Sequence, residues 1–233
     1  LRFHRAWVYK GPLLMAGPYC VLALSATPAL KAFVAVLASM LTIGGIAGLA
    51  YLINDLADRA SDHAAGKPNS TEGASPLAIV LAALILLLAA LLPWATVLPF
   101  SALAAILLGI ELMLFILYAV PPFRWKERGF LGLATDAGYA YVVPALLAAM
   151  TFASIGDLPR GDIASLLMAL VVWQGPLGLR NIILHQIDDS ANDIASKTQT
   201  WVLKVGECRA VHLTRKYIIP LEIGGFLYFC ASV

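Results

Sequence analysis

Four side chains that can bind metal or phosphate fall within nine positions: Asn54, Asp55, Asp58 and Asp62, in "NDLADRASD". On a helix, the three carboxylates lie at i, i+3 and i+7 and share a face, with Asn54 beside them. Like charges at that spacing repel. Carboxylates at a membrane boundary also resist desolvation, at a cost of up to ~3 kcal/mol each at mid-bilayer and less near the surface. A divalent cation offsets both penalties. Mg²⁺ favours hard oxygen ligands and usually takes one or two carboxylates plus substrate phosphates. A second cluster stands in "HQIDDSAND": Asp189 and Asp193 are i, i+4, and Asp188 and Asn192 form a parallel pair one step round the helix. Whether Asp188 or Asp189 pairs with Asp193 is open from spacing alone. Two such clusters facing each other suit two metals clamping one diphosphate. Cations for the diphosphate are at hand: Lys67 after the first cluster, Arg180 and Lys197 flanking the second, and Arg124, Lys126 and Arg128 in "YAVPPFRWKERG", which begins at Tyr118. Arg can grip phosphate bidentately and Lys acts as a point charge.

The elements that carry these residues are hydrophobic. The chain has 233 residues, 61% of them apolar and 13% charged, with mean hydropathy +0.83. A soluble domain is nearer a quarter charged, so composition alone predicts an integral membrane protein. A spanning helix needs about 20 mostly apolar residues. Seven segments qualify, near 11–28, 31–54, 76–93, 97–119, 130–153, 162–186 and 211–232, with prolines at the joints. The expected fold is therefore an all-α, multi-spanning transmembrane bundle over residues 1–233, a single domain.

Charge gives the sidedness. With alternate crossings, all but Lys31 and Arg160 of the 16 Lys and Arg fall on one face, together with both acidic clusters. Cytoplasmic loops carry such an excess, so that face is expected to be cytoplasmic. The loops on that face are long and polar and those opposite are tight, as expected of chemistry confined to one membrane surface. Net charge is +2 and points to no nucleic-acid partner; no obligate protein partner is evident. Three cysteines (Cys20, Cys208, Cys230) lack metal spacing and are expected as reduced thiols.

Other positions have narrower expectations. Gly44 and Gly48 form a GxxxG pair for close helix packing. Asp136, followed by Tyr139 and Tyr141, is an intramembrane acid and a candidate for lining a cavity. Glu111 and Glu222 are expected to make helix–helix hydrogen bonds, and His185 to pack at a helix end. Arg59 and Arg128 can equally face lipid headgroups. Trp7, Trp94, Trp125 and Trp201 sit near segment ends, as interfacial anchors do; Trp173 lies deeper, as packing.

In sequence order these motifs resemble the UbiA superfamily of intramembrane prenyltransferases. "NDLADRASD" fits its NDxxDxxxD motif and "DSAND" resembles its second, DxxxD motif. "YAVPPFRWKERG" looks like its YSxPPxRxKxRG stretch, and "TQTWVLKVGECRAV" resembles the segment leading into its seventh helix. The departures are Ala119 where Ser is common, Lys67-Pro68-Asn69 in place of an Asn-Arg-Pro run, and Lys197 at a position often filled by Gly. The resemblance implies nine helices, of which seven are present here, so the C-terminus is expected to be truncated. It implies Mg²⁺-dependent transfer of a prenyl group from its diphosphate to a small acceptor (aromatic, quinone precursor, tetrapyrrole or alcohol) through an allylic carbocation. The setting would be the cytoplasmic face of a bacterial inner membrane. By this resemblance Asn54, Asp55, Asp58 and Asp62 hold one Mg²⁺, and Asp189 and Asp193 the other. Asp58, Asp189 and Lys126 are the catalytic set, and Asn54, Lys67, Tyr118, Arg124, Lys126 and Lys197 bind substrate. Two other readings compete. A CDP-alcohol phosphotransferase packs its acids into one stretch, and a cation transporter places acids near mid-bilayer along several helices.

Overall fold

The computed structural model describes residues 10–232, apart from the side chain of Arg160. The expectations for Arg2, Arg5 and Trp7 lie outside the described residues. The described chain is 83% helical, without strands. It forms an all-α bundle that spans a membrane several times. Helix α1 covers Ala16–Leu24, α2 Ala29–Ala64, α3 Pro76–Thr96, α4 Ala102–Ala119, α5 Phe130–Gly156 and α6 Arg160–Asp188. Short helices α7 (Ser190–Ala195) and α8 (Trp201–Val205) follow. The last helix, α9, runs through Glu207–Leu213, Thr214–Ile218 and Ile219–Ser232, with a π-turn in the middle portion.

Among the described residues, five helices, α2 to α6, are long and apolar enough to cross a bilayer by themselves. Two of the seven expected spans differ. The first is interrupted at Met15, which leaves a nine-residue helix, Ala16–Leu24. The last is helical, but it carries Arg215, Lys216 and Glu222 beside the π-turn. The expected fourth segment starts later, at Ala102, because Ser101 caps the helix there by accepting from the Ala104 amide at 3.1 Å. Ser75 starts α3 in the same way, with Pro76 at its first position.

Which side chains face outward follows from the solvent these helices need. Only 11% of the apolar window of α3 is buried in protein, and Leu77, Leu81, Leu84, Ile85 and Leu88 point out. A leucine-rich surface of this kind is stable against hydrocarbon, and the helix satisfies its own backbone there. Inside, small residues let backbones approach. Gly45, next to the expected Gly44, makes a close approach between α2 and α3: a Cβ on it would lie 2.5 Å from the Ala90 nitrogen and 2.6 Å from the Leu86 carbonyl oxygen. Gly48 keeps its expected packing role against the Leu86 side chain. Trp173 packs as expected, with Phe226 and Phe229 of α9 at 5.1 and 5.0 Å between ring centres.

Candidate functional site

Helix α2 does not stop where its apolar run ends. It continues to Ala64, so the acidic motif stands on a rigid extension of a spanning helix. Asn54, Asp55 and Asp58 are half-buried and Asp62 is buried. The chain then turns at Gly66 (φ 67°) and folds back across the motif. Asn69 donates to the Asp62 carboxylate and to the Asp55 carbonyl, both at 2.8 Å, while the Ser70 amide and hydroxyl donate to the Asp55 carboxylate. Thr71, 1% exposed, locks Asn69 by donating its hydroxyl to the Asn69 side-chain oxygen at 2.7 Å.

The α4–α5 connection supplies cations to Asp58 from a distant part of the sequence. Lys126, 7% exposed, donates its ammonium to the Asp58 carboxylate and to Asn54 Oδ1 at 3.1 Å. Arg124 donates to the other Asp58 oxygen at 3.1 Å and also grips Glu127. Arg124 adopts a left-handed backbone (φ 38°), which costs roughly 1–2 kcal/mol in a residue with a Cβ. The strained turn directs the guanidinium toward α2. Burial pushes the Lys126 ammonium below its ordinary pKa, and the Asp58 charge opposes that shift. Gly132 makes room for this arrangement: a Cβ there would stand 2.7 Å from the Trp125 carbonyl oxygen and 2.9 Å from the Lys126 Cα.

Helix α6 ends at Asp188, and Asp189 sits at the junction with α7. The two adjacent acids diverge there. Asp188 is exposed, whereas Asp189 is half-buried and accepts from Lys67 at 2.6 Å and from Asn192 at 2.6 Å. Asp193 is buried one helical turn away, its amide bonded to the Asp189 carbonyl at 2.9 Å. Burial raises the Asp189 carboxyl, but hydrogen bonds from Asn192 and Lys67 outweigh it and hold the group below the usual range. Asp193 moves the opposite way, raised by burial and then by the neighbouring Asp189 charge. Beside it lies an open cleft of about 340 Å³ lined by Asp193, Lys197, Thr198 and Lys204, among others. Lys197 is exposed and has φ 57°, a conformation that suits glycine better than lysine.

The Lys67–Asp189 ion pair thus ties the strap after α2 to the end of α6. Both acidic clusters, Lys67, Arg124 and Lys126 gather at one end of the bundle. Tyr118, in the last turn of α4 just before the turn that carries Arg124 and Lys126, is half-buried. Arg180 corrects the sequence reading. It does not flank the acids but makes a two-point ion pair with Glu222 of α9, at 2.5 and 2.9 Å. Glu222 therefore has the helix–helix bond expected of it. Glu111 does not: it is 4% exposed and its Oε2 has no partner among the described residues. Arg59 is exposed, and Arg128 reaches only the Pro122 carbonyl, at 3.4 Å. His185 is exposed at a helix end and is not packed. Sequence spacing did not point to Asn69, Ser70 and Thr71, because turn residues of this type usually serve only the turn.

Comparison with protein-family models, curated proteins and solved structures finds no match to this chain. Its chemistry is therefore argued from its own side chains. Among the described residues no three His, Cys, Asp or Glu side chains converge on one point. What the site does have is a dense mixture of carboxylates and cations. Among the described residues, Asp55, Asp58, Asp62, Glu127, Asp189 and Asp193 gather with Lys67, Arg124 and Lys126, and Lys197 and Lys204 line the cleft beside Asp193. The donors are carboxylate oxygens, the hard ligands that suit Mg²⁺. The residues present fit a divalent cation.

Proposed function

We propose that the protein is a membrane prenyltransferase of the UbiA type, which transfers a prenyl group from a prenyl diphosphate to a small acceptor. One observation carries the reading: Lys67 joins the α2 strap to Asp189 while Lys126 and Arg124 converge on Asp58, so four separate stretches bring acids and cations together at one end of the bundle. Such a mixed set can receive a diphosphate together with its counter-ions, whereas a purely basic pocket would bind the anion without a metal.

Asn54, Asp55, Asp58 and Asp62 would hold one Mg²⁺, and Asp189 and Asp193 a second. When bound, Mg²⁺ neutralises the charge that grows on the diphosphate as its C–O bond breaks. The chain's own cations add to that stabilisation. Lys126 and Arg124, already restrained on Asp58, are placed to contact diphosphate oxygens, and Lys67 to do so from the opposite side. The lipid tail would lie among the apolar faces of α2, α4 and α5, where exclusion of water protects an allylic cation from quenching. The charge asymmetry of the loops supports a cytoplasmic orientation in a bacterial inner membrane.

The test uses the full-length protein in membranes with radiolabelled farnesyl and geranylgeranyl diphosphates, a panel of acceptors, and Mg²⁺ against EDTA. Asp58→Ala and Asp189→Ala are each expected to abolish transfer while the protein still inserts. Turnover that persists in EDTA, or in both variants, would refute the reading.

A further inference from the structure

Below the diphosphate end lies a second polar group that the reading so far leaves unused. Asp136 stands six residues into α5, about 9 Å deeper than the start of that helix. Its Oδ2 accepts from the Tyr139 hydroxyl at 2.7 Å, and its Oδ1 has no protein donor among the described residues. Both side chains remain half-buried, and so does Tyr118, whose ring centre lies 5.4 Å from that of Tyr139. Tyr118 in turn closes α4 immediately before the turn that sets Arg124 and Lys126 on Asp58. The tyrosines therefore connect Asp136 to the place where a diphosphate would release its carbon. At Gly138–Val142 the helix widens into a π-turn, which shifts the register of the side chains just after Asp136. Such bulges recur at functional sites.

Among the described residues Lys10 balances Asp136: it lies 4.7 Å from the centre of the Tyr141 ring and its charge reaches Asp136, as does His185, while Arg180 is spent on Glu222. Asn181 donates to the Tyr141 hydroxyl at 2.8 Å. An anionic acceptor would bring an uncompensated charge into this interior, where an unpaired ion is costly. A neutral hydroxyl would not, and it could donate to the open oxygen of Asp136.

We propose that Asp136 is the base for a neutral, hydroxyl-bearing acceptor, and that Tyr139 positions it. This rests on the prenyl-transfer reading above. The acceptor oxygen forms a bond to the allylic carbon and its O–H proton passes to the Asp136 carboxylate. The carbon–diphosphate bond breaks, and its electron pair leaves with the diphosphate, so the product is a prenyl ether. The test compares hydroquinone with 4-hydroxybenzoate as acceptors of the wild-type protein in membranes with Mg²⁺ and geranylgeranyl diphosphate, then repeats the better one with Asp136→Asn and Tyr139→Phe. Hydroquinone should be preferred. Asp136→Asn should lower kcat roughly 10²–10⁴-fold, the usual contribution of a general base, and leave the KM for the diphosphate in place. Tyr139→Phe should show a smaller fall of the same kind. Preference for the carboxylate acceptor, or wild-type kcat in Asp136→Asn, overturns the inference while leaving prenyl transfer standing. Absence of Mg²⁺-dependent turnover with every acceptor and prenyl diphosphate overturns both.

Discussion

The Arg180–Glu222 pair separates a structural cation from a substrate-binding one, and its energetics can be worked from its surroundings. Arg180 lies eight residues before the end of α6, about 12 Å along the helix from Asp188. The two side chains are 27% and 17% exposed and make two hydrogen bonds, so water screens them little. Removing one partner strands the other charge, which costs about 3–5 kcal/mol for a buried pair, and partial exposure favours the lower end. At about 2–4 °C per kcal/mol for a chain of this size, Arg180→Leu or Glu222→Leu should each lower the melting temperature by roughly 6–12 °C. The double substitution removes both charges. It should return to within ~1 kcal/mol of the starting protein, since apolar replacement of a buried pair is often neutral. Thermal unfolding in lipid nanodiscs, followed by tryptophan emission, gives all four corners of the cycle. The exposed His63–Glu72 contact, 79% and 51% exposed, is the control, and Glu72→Ala should barely move the transition. Additive losses in the double variant, or single losses under 2 °C, would refute the assignment of Arg180 to α6–α9 packing. The double variant should also keep prenyl transfer, because neither residue touches the acidic site.

Lys126→Met should remove one of the two cations on Asp58 and reduce transfer by about a hundredfold, with Lys126→Arg recovering part of it; rates against diphosphate concentration check this. Asp188→Ala should behave as wild type where Asp189→Ala is inactive, because only Asp189 turns toward Lys67; the same transfer assay reads both. Gly45→Ala should cost about 1–3 kcal/mol by driving a methyl into the α3 backbone, seen as a lower melting temperature, whereas Gly109→Ala, with open space around it, should cost nothing measurable.

How much of this could be read in advance depended on the range of the interactions. Helices α2 to α6 were legible because about twenty apolar residues leave few alternatives to a spanning helix. The continuation of α2 through Asp62 was legible from the i, i+3, i+7 spacing. The interruption at Met15 was overlooked although Pro18 marks it: without an N–H, Pro18 cannot bond back to the Leu14 carbonyl, and its ring crowds that turn. Arg180 was misassigned because its sequence neighbourhood is acidic, while its partner, Glu222, is 42 residues away on α9. Asp188 and Asp189 could not be told apart by spacing, since the end of α6 falls between them and turns one outward.

The charge balance of the site also constrains its chemistry. Among the described residues, six carboxylates gather with five cations, and three of those cations are held by carboxylates: Lys67 by Asp189, Arg124 by Asp58 and Glu127, and Lys126 by Asp58. A diphosphate arriving alone would have to compete with these carboxylates for the same ammonium and guanidinium groups. Arriving with divalent cations, it meets oxygens that can take up the metal, and the lysines and arginine are released toward the phosphate. On the proposed reading, the ion pairs Lys67–Asp189, Arg124–Asp58 and Lys126–Asp58 would be exchanged for contacts to metal and phosphate on binding. Metal and diphosphate should bind cooperatively for that reason, each raising the affinity of the other by the same factor. A diphosphate affinity unchanged by Mg²⁺ would mean that the acids serve only to restrain the cations.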